Sequence, residues 1–233
     1  LRFKIFQETA WYQKPFAFKV GETYPLAPFS TIKGMLHAVL EANEYIPMSI
    51  SIQGKSESMM IDYAKKYMYK KLNANLPLNM DGLGFDIEPE NVTAMPMYVH
   101  LLYNVEHVIH VSADDDTLQL LYDRLTSPKQ TLSLGRWEDL VRIDEVTFVD
   151  LMDEEMCIDS EYDLYIPRSW SDLQYEFKSD YFNKIYYRLT RKYEIVQGKR
   201  NWDYVSVIYV SKEEKFETEV PSDGQYPVFL IEG

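Results

Sequence analysis

The sequence is poor in cysteine and has no long apolar stretch. Cys157 is the single cysteine of the 233 residues, so no internal disulfide can form, and a reducing cytoplasm is the expected location. No run of 18 apolar residues occurs, which argues against a spanning helix. Nothing resembles a secretory signal. No membrane partner is therefore expected.

Motifs for common cofactors are also missing. Neither GxxxxGK[ST] nor GxGxxG occurs, so a phosphate cradle of the usual kind is not supported. His107 and His110 form an HxxH pair, but their segment has the composition of a strand. A separation of three on a strand places the two side chains on opposite faces. No metal and no cofactor are predicted.

The composition is that of a globular protein, with 46% hydrophobic and 15% aromatic residues. A net charge of −13 argues against a simple nucleic-acid binder. The charge is unevenly distributed, because residues 1–71 hold 10 Lys and Arg against 6 Asp and Glu and so carry +4. The remainder carries −17. This asymmetry suggests one anionic partner and one protein partner, although solvated faces can differ by chance.

Hydrophobic periodicity predicts the elements of the first 150 residues. LRFKIFQ alternates as a strand. Ser30 or Thr31 is expected to cap a helix that runs to about Glu41. PMSISIQGK predicts a second strand. SESMMIDYAKKYMYKKL is compatible with a helix or a strand, and we favour an extended arm, followed by a long mobile loop at LNANLPLNMDGLGFDIEPEN. MPMYVHLLYNVEHVIHVSA predicts a strand or hairpin. DTLQLLYDRLTSP predicts a second helix, and VTFVDLM another strand.

This order predicts an α+β, ferredoxin-like (RRM-like) βαββαβ domain. We expect residues 1–150 to form it. The C-terminal segments YDLYIPRSW, NKIYYRLTRKYEIV, DYVSVIYVSK and YPVFLIEG read as strands. Residues 151–233 are therefore expected to form a β-rich part that packs on the first domain.

Basic and aromatic residues alternate through the first 71 positions. This mixture suits single-stranded RNA, whose bases stack on rings while lysines follow the backbone. A helix beginning after Ser30 would add amide donors for one phosphate. The candidate RNA-binding residues of this part are Trp11, Tyr12, Lys14, Ser30, Thr31, Lys33, Gly34, His37, Lys55, Lys65, Lys66 and Tyr67.

The segment LGRWED offers a second candidate, formed by Gly135, Arg136 and Trp137. Arg136 could contact a phosphate while Trp137 stacks on a base, an interaction worth about 1–3 kcal/mol. In the alternative interpretation the segment is a turn and Trp137 packs inward.

Catalytic alternatives are few. His37 could act as general base for RNA cleavage with Tyr12 or Lys14 nearby in sequence, although a structural role for this histidine is the simpler explanation. A second basic run contains Arg188, Arg191, Lys192, Lys199 and Arg200. Cross-strand pairing with the acidic tract from Glu138 to Asp163 is the expected role of most of these residues.

Two motifs in this order and separation, YPLAPFSTIKGMLHAVL and LSLGRWEDLVRI, resemble the "Cas five" family of CRISPR-associated proteins. This family is a branch of the RAMP superfamily of RNA-binding proteins, and the likeness is greatest to members from type I-B Cascade complexes. The resemblance implies a ferredoxin-like domain with a projecting thumb, here about residues 55–95, and a smaller β-rich C-terminal part.

The resemblance also implies partners. Such proteins hold the 5′ handle of the crRNA and contact the Cascade backbone subunits and the large subunit that reads the protospacer-adjacent motif, so target DNA is met indirectly. On this reading Ser30, Thr31, Lys33, Gly34 and His37 line the handle site, with Gly135, Arg136 and Trp137 close by.

One branch of the family cleaves precursor crRNA with a tyrosine and an adjacent Lys-His pair. This chain has no Lys-His dipeptide, and its candidate region reads VEHVIH. The sequence therefore predicts a non-catalytic RNA-binding subunit. Two alternatives stay open, namely a metal-independent endoribonuclease and a module that binds only protein.

Overall fold

A computed structural model describes residues 1–15, 20–69, 92–158, 161–173, 185–212 and 216–232. The helices are α1 (Phe29–Val39), α2 (Asp115–Thr126) and α3 (Arg168–Leu173). The strands are β1 (Arg2–Ala10), β2 (Val20–Gly21), β3 (Ser49–Tyr69), β4 (Val92–Ser112), β5 (Leu132–Ser133), β6 (Leu140–Thr147), β7 (Met152–Ile158), β8 (Asp163–Pro167), β9 (Ile185–Val196), β10 (Lys199–Val210) and β11 (Phe216–Ser222). No helix in the described part is long and apolar enough to cross a membrane.

The central strands have the ferredoxin-like order. β6, β1, β4 and β3 lie side by side with antiparallel pairing throughout, which is the arrangement of a βαββαβ unit. Alternation in β1 buries Phe3 and Ile5. The α1 stripe of Met35, Leu36 and Val39 is buried in the same core. The predicted α+β class is confirmed.

The predicted arm is a long antiparallel ladder of β3 and β4. Their pairing keeps one register from Ser49–Ser112 to Tyr69–Val92 and misses one pair, at Glu57 and Asn104. On its other side β3 pairs with β8 only at Gln53 and Gly54, so β3 beyond Lys55 has one partner strand among the described residues. The loop expected after the arm, residues 72–91, lies outside the described residues.

The C-terminal strands continue the same sheet. β8 pairs with β3, and β10 and β9 follow it, whereas β7 and β11 form a separate pair. The division at residue 150 stays a prediction. Two predicted strands differ from the structure. The one expected at VTFVDLM lies earlier as β6, where Val141, Ile143 and Val146 pack on the core, and YPVFLIEG makes only isolated bridges at Pro227 and Ile231.

The segment before α1, residues 24–28, contains two prolines and has a structural role. Leu26 and Ala27 are fully buried, where the Tyr165 hydroxyl donates to Leu26 O at 3.0 Å and Ala27 N donates to His107 Nε2 at 3.3 Å. A buried chain needs such partners for its backbone polar groups. These bonds therefore fix the position of the start of α1 against the sheet.

The expected cap of α1 is wrong. Pro28 is the N-cap residue, and no side chain caps the helix. The Ser30 hydroxyl instead lies 2.6 Å from the Thr190 hydroxyl of β9. Thr31 N donates to Pro28 O. Because the residues before the helix are buried, the helix start does not present a ready phosphate site.

Candidate nucleic-acid interface

The loop of residues 134–139, called here the tryptophan loop, joins β5 to β6. Gly135 has a φ of +109°, and a Cβ there would lie 2.9 Å from Asp139 Oδ2 and 3.0 Å from Trp11 O. Only glycine fits both constraints. Gly135 therefore shapes the loop and brings it against Trp11.

A buried carboxylate holds the tryptophan loop in place. Asp139 accepts hydrogen bonds from the backbone N of Arg136 at 2.9 Å, from its Nη2 at 2.7 Å and from Trp11 N at 3.0 Å. The Asp139 side chain is inaccessible to solvent. Charge-assisted bonds of this kind are strong. The Arg136 charge is thus largely balanced inside the protein.

Trp137 projects from this fixed loop, and 85% of it is exposed. The interpretation in which Trp137 packs inward is wrong. Arg136 and Asp139 of the same loop are held by the bonds just described, whereas the indole ring is exposed to solvent. The ring is available for stacking, and stacking on a base stays a prediction.

Trp11 connects the tryptophan loop to the base of the β3–β4 arm. Its Nε1 donates to Gly21 O at 3.0 Å, and its ring packs against buried Met97, Val99 and Leu101 of β4. Trp11 is only partly exposed. Its position joins two of the predicted RNA-binding regions.

Two other candidates of the first loop are engaged within the protein. Tyr12 is 2% exposed and its hydroxyl donates to Gln7 Oε1 at 2.6 Å. Burial raises the pKa of Tyr12 well above its ordinary value. Tyr12 is therefore a core residue, which corrects the expectation that it contacts RNA. Lys14 pairs with Glu22 at 3.2 Å.

The arm carries the remaining basic candidates. Lys55 Nζ lies 3.3 Å from Glu106 Oε2 and 4.8 Å from the Tyr162 ring centroid, so its charge is compensated. Lys65 and Lys66 are exposed and project to opposite faces of β3. The Tyr67 side chain lies outside the described residues. Among the described side chains of the arm, the large apolar ones that are exposed are Met59, Met60, Ile61, Tyr63 and Tyr98.

A pocket of about 430 Å³ lies between α1 and β9 and is called here the helix–strand pocket. Its walls bring four predicted handle residues together with a basic segment of β9. The lining residues are Ser30, Lys33, Gly34, His37, Ala42, Asn43, Glu44, Tyr45, Arg191, Lys192, Tyr193 and Ile195. Four of the five predicted helix residues thus share one cavity.

Lys33 lies at the helix wall of this pocket and is 3% exposed. Its Nζ has no hydrogen-bond partner among the described residues. Burial, reinforced by the charges of Arg191 and Lys192, lowers the pKa of Lys33 to about 8. Burial of an unpaired ammonium group destabilises the folded state, because the charge loses its hydration.

His37 is held at both ring nitrogens. Its Nδ1 lies 2.8 Å from Lys33 O, and its Nε2 accepts from Ile46 N at 2.9 Å. With Nε2 accepting, Nδ1 donates to the carbonyl of Lys33. The ring also stacks on Tyr45 at a centroid distance of 5.6 Å. Neither nitrogen is free to accept a substrate proton in this arrangement.

The sequence did not predict the pairing of the second basic run. Arg191 Nε donates to Asp203 of the adjacent strand β10 at 2.9 Å, and Lys192 Nζ lies 5.7 Å from the Tyr45 centroid. Neither contact involves the tract from Glu138 to Asp163, so that expectation is wrong for these two residues. The only pattern in the sequence was the basic residues placed among tyrosines in KIYYRLTRKYEIV. That pattern does not show that α1 lies beside this strand.

The two predicted histidines do not share a site. His107 and His110 are both buried. Burial lowers the pKa of His107 to about 3, while His110 Nε2 lies 3.0 Å from Asp223 Oδ2. In the described part of the chain, no group of three or more His, Cys, Asp or Glu is arranged to hold a metal ion.

One solved structure has a similar fold, and two others match with lower scores. A chain of a "CRISPR RNA-guided surveillance complex" is 15% identical with a TM-score of 0.50, and the match covers 95% of this chain and 92% of that chain. A CRISPR protein from Archaeoglobus fulgidus is 12% identical with a TM-score of 0.44, covering 100% and 98%. A chain of the Type III-B Cmr-beta complex bound to cognate target RNA is 11% identical with a TM-score of 0.43, covering 93% and 86%.

Sequence comparison gives a more specific result. No curated protein matches the chain. The model of the family described as "CRISPR-associated protein (Cas_Cas5)" matches residues 1–193, which is most of the 233 residues. The chain therefore belongs to the Cas5 family of CRISPR-associated proteins.

Proposed function

We propose that this Cas5-family chain is a non-catalytic subunit of a type I CRISPR surveillance complex, of the I-B kind, that binds and caps the 5′ handle of the crRNA. The observation that carries the proposal is the 85% exposed ring of Trp137 on a loop fixed by the buried carboxylate of Asp139. A rigidly presented aromatic ring stacks on a base with little loss of side-chain freedom.

The surroundings of Trp137 support a single-stranded RNA ligand. Trp11 links the tryptophan loop to the arm, on which Lys65 and Lys66 are exposed. Stacking rings combined with cations along an extended surface are typical of proteins that bind single-stranded RNA. In this proposal the arm is the thumb of the family and bends the RNA.

The state of the proposed catalytic groups favours a non-catalytic role. His37 has both ring nitrogens engaged, and Tyr12 donates its buried hydroxyl to Gln7. General-base chemistry needs a group within reach of the proton that it removes. Intact repeat RNA after incubation with micromolar protein in the absence of divalent metal is the expected result, and cleavage abolished by His37→Ala would instead establish the endoribonuclease alternative.

Protein partners account for the acidic remainder of the chain. The net charge is −13, and the arm exposes apolar side chains, among them Ile61 at 62% and Tyr63 at 57%. Exposed apolar groups at this density are typical of an interaction surface. The proposed neighbours are the Cascade backbone subunits and the large PAM-reading subunit, with target DNA contacted indirectly, in cytoplasmic antiviral defence.

Replacement of Trp137 tests the proposal in the assembled complex. Stacking of one base is worth about 1–3 kcal/mol, so Trp137→Ala should weaken crRNA binding by at least about fivefold. Trp137→Phe keeps an aromatic ring, so its affinity for crRNA should fall by less than that of Trp137→Ala. Leu140→Ala is the matched control, because Leu140 is an exposed apolar residue just beyond the same loop. Binding of crRNA that is equal in all four proteins would favour the protein-only alternative.

A further inference from the structure

The helix–strand pocket contains a buried charge that the described fold does not neutralise. Lys33 is 3% exposed, and its Nζ has no hydrogen-bond partner among the residues that the structure describes. Burial of an unpaired charged group costs far more than surface exposure of the same group. Lysines are therefore almost never fully buried without a partner.

Three further charged side chains, two from β9 and one from the chain after α1, line the same pocket. The Arg191 guanidinium is paired with Asp203 and also donates to Glu232 O at 3.1 Å. Lys192 lies over the Tyr45 ring at 5.7 Å. Glu44 lines the rim and is exposed.

The balance of these charges leaves the pocket positive. Arg191 and Asp203 cancel, while Lys33 and Lys192 face the single carboxylate of Glu44. His37 is uncharged when its Nε2 accepts a hydrogen bond from Ile46 N. An anion that enters the pocket would therefore meet one cationic charge in excess.

Aromatic rings beside the cations indicate which anion fits. Tyr45 is 45% exposed and Tyr193 is 44% exposed, and both line the pocket. A volume of about 430 Å³ lies within the range of small-molecule sites. A phosphate with an attached nucleoside would place charge on the lysines and a ring against a tyrosine, whereas an acidic peptide would use only the charges.

We propose that the helix–strand pocket binds one phosphate group of a nucleotide, with the buried ammonium of Lys33 as its main contact and Lys192 at the mouth. The inference that this phosphate belongs to the crRNA rests on the proposed function. The pocket itself requires only a phosphoryl group attached to a nucleoside.

Binding is coupled to protonation. Burial and the neighbouring cations lower the pKa of Lys33 to about 8, so the empty pocket loses the ammonium proton in mildly alkaline solution. A bound phosphate favours the charged form and draws a proton onto Nζ. Affinity should therefore fall as the pH rises above 8, approaching tenfold for each pH unit.

Calorimetric titration of the full chain tests the site. The probes are adenosine 5′-monophosphate, which has a terminal monoester, and the dinucleoside monophosphate ApA, which has only an internal diester. Adenosine and triglutamate are the comparison ligands. We expect one or both phosphate probes to bind better than adenosine and triglutamate, and the better probe identifies which kind of RNA phosphate the pocket accepts.

Lys33→Met should reduce this binding at least tenfold and abolish its pH dependence between pH 7.5 and 9.5. Lys129→Met is the matched control, because Lys129 is an exposed lysine outside the pocket, and it should bind as the wild type does. Equal binding by the Lys33→Met protein, preference for triglutamate or a flat pH profile of the wild-type chain would overturn the proposal. The pH profile needs no variant.

This test can fail independently of the proposed function. Failure of the chain to bind phosphate would overturn the proposal for the helix–strand pocket. The proposal that the chain binds the crRNA handle would still be tested by Trp137→Ala. Phosphate binding by the free chain combined with unchanged crRNA binding by Trp137→Ala would support the pocket and contradict the proposed role of the tryptophan loop.

Discussion

The tryptophan loop and the helix–strand pocket each place a cation near the protein surface, but they treat its charge in opposite ways. Arg136 meets the inaccessible carboxylate of Asp139 at 2.7 Å, whereas Lys33 Nζ has no partner in the described part of the chain. A balanced charge stabilises a local structure, and an unbalanced one attracts a ligand. In the first region the cation supports a displayed ring, and in the second the cation is itself the proposed contact.

The largest effect is expected from removal of the balancing charge. Asp139→Ala removes the buried acceptor of Arg136 and of the backbone N of Trp11, so the free energy of unfolding should fall by about 3 kcal/mol. Urea denaturation measures the change. Glu138→Ala is the control, because Glu138 also pairs with Arg136 but is 42% exposed, and it should cost less than about 1 kcal/mol. Equal losses in the two variants would contradict a structural role for the buried carboxylate.

A substitution in the helix–strand pocket should change the free energy of unfolding in the opposite direction. Lys33→Met removes an unpaired buried charge, so the free energy of unfolding at pH 7 should rise by about 2 kcal/mol. The lowered pKa of Lys33, about 8 against an ordinary value of 10.5, has a second consequence. Between these values the unfolded chain binds more protons than the folded chain, so wild-type stability gains a contribution as the pH rises.

Urea denaturation at pH 7 and pH 10 measures both effects. The Lys33→Met protein should lack the contribution that the wild type gains over this interval, and Lys129→Met should behave as the wild type. A Lys33→Met protein that is less stable than the wild type at pH 7 would mean that the ammonium is already paired within the fold.

A smaller loss is expected from Gly135→Ala. The backbone there has a φ of +109°, and the new Cβ would approach Asp139 Oδ2 to 2.9 Å, so strain of about 1–2 kcal/mol is expected. Gly198→Ala is the matched control, because Gly198 also has a positive φ, +74°, but open space around the Cβ position. The midpoint of thermal unfolding compares them, and a greater loss for Gly198→Ala would show that the contact with Asp139 is unimportant.

The smallest expected effect concerns the arm. Affinity of the assembled complex for crRNA should fall by about 0.7 log unit per log unit of salt for each phosphate contact. Lys65→Gln with Lys66→Gln should reduce that slope by about 1.4 if both lysines contact phosphates, and filter binding at several salt concentrations measures it. The control is Lys129→Gln. A slope that the double variant leaves unchanged would exclude both lysines from the RNA track.

Local periodicity was sufficient for most of the fold. The alternation in β1, the stripe of α1 with Met35 and Leu36, and the extended arm depend on neighbouring residues, so their patterns are present in the sequence. The cap of α1 was predicted wrongly because Ser30 has a better partner in Thr190, which is 160 positions away in the chain.

The candidate sites required contacts that a sequence does not contain. Lys33, Gly34 and His37 follow one helical face and could be grouped in advance, but Arg191 joins them only through the packing of α1 on β9. Tyr12 was misjudged for the same reason. Its aromatic ring suits stacking on a base, and only the fold shows that Gln7 takes its hydroxyl.

The β3–β4 ladder ends in a short two-stranded ribbon. β4 pairs with β1 as far as Leu102 and with β2 at Tyr98 and Val99. The described part that has only two strands therefore runs from Ala64–Met97 to Tyr69–Val92, a length of roughly 17 Å at about 3.3 Å per residue. A two-stranded ribbon of that length bends easily, because it lacks the stiffness of a wider sheet. If the proposed function is correct, the neighbouring subunits of the complex should set the direction in which the end of this ribbon points.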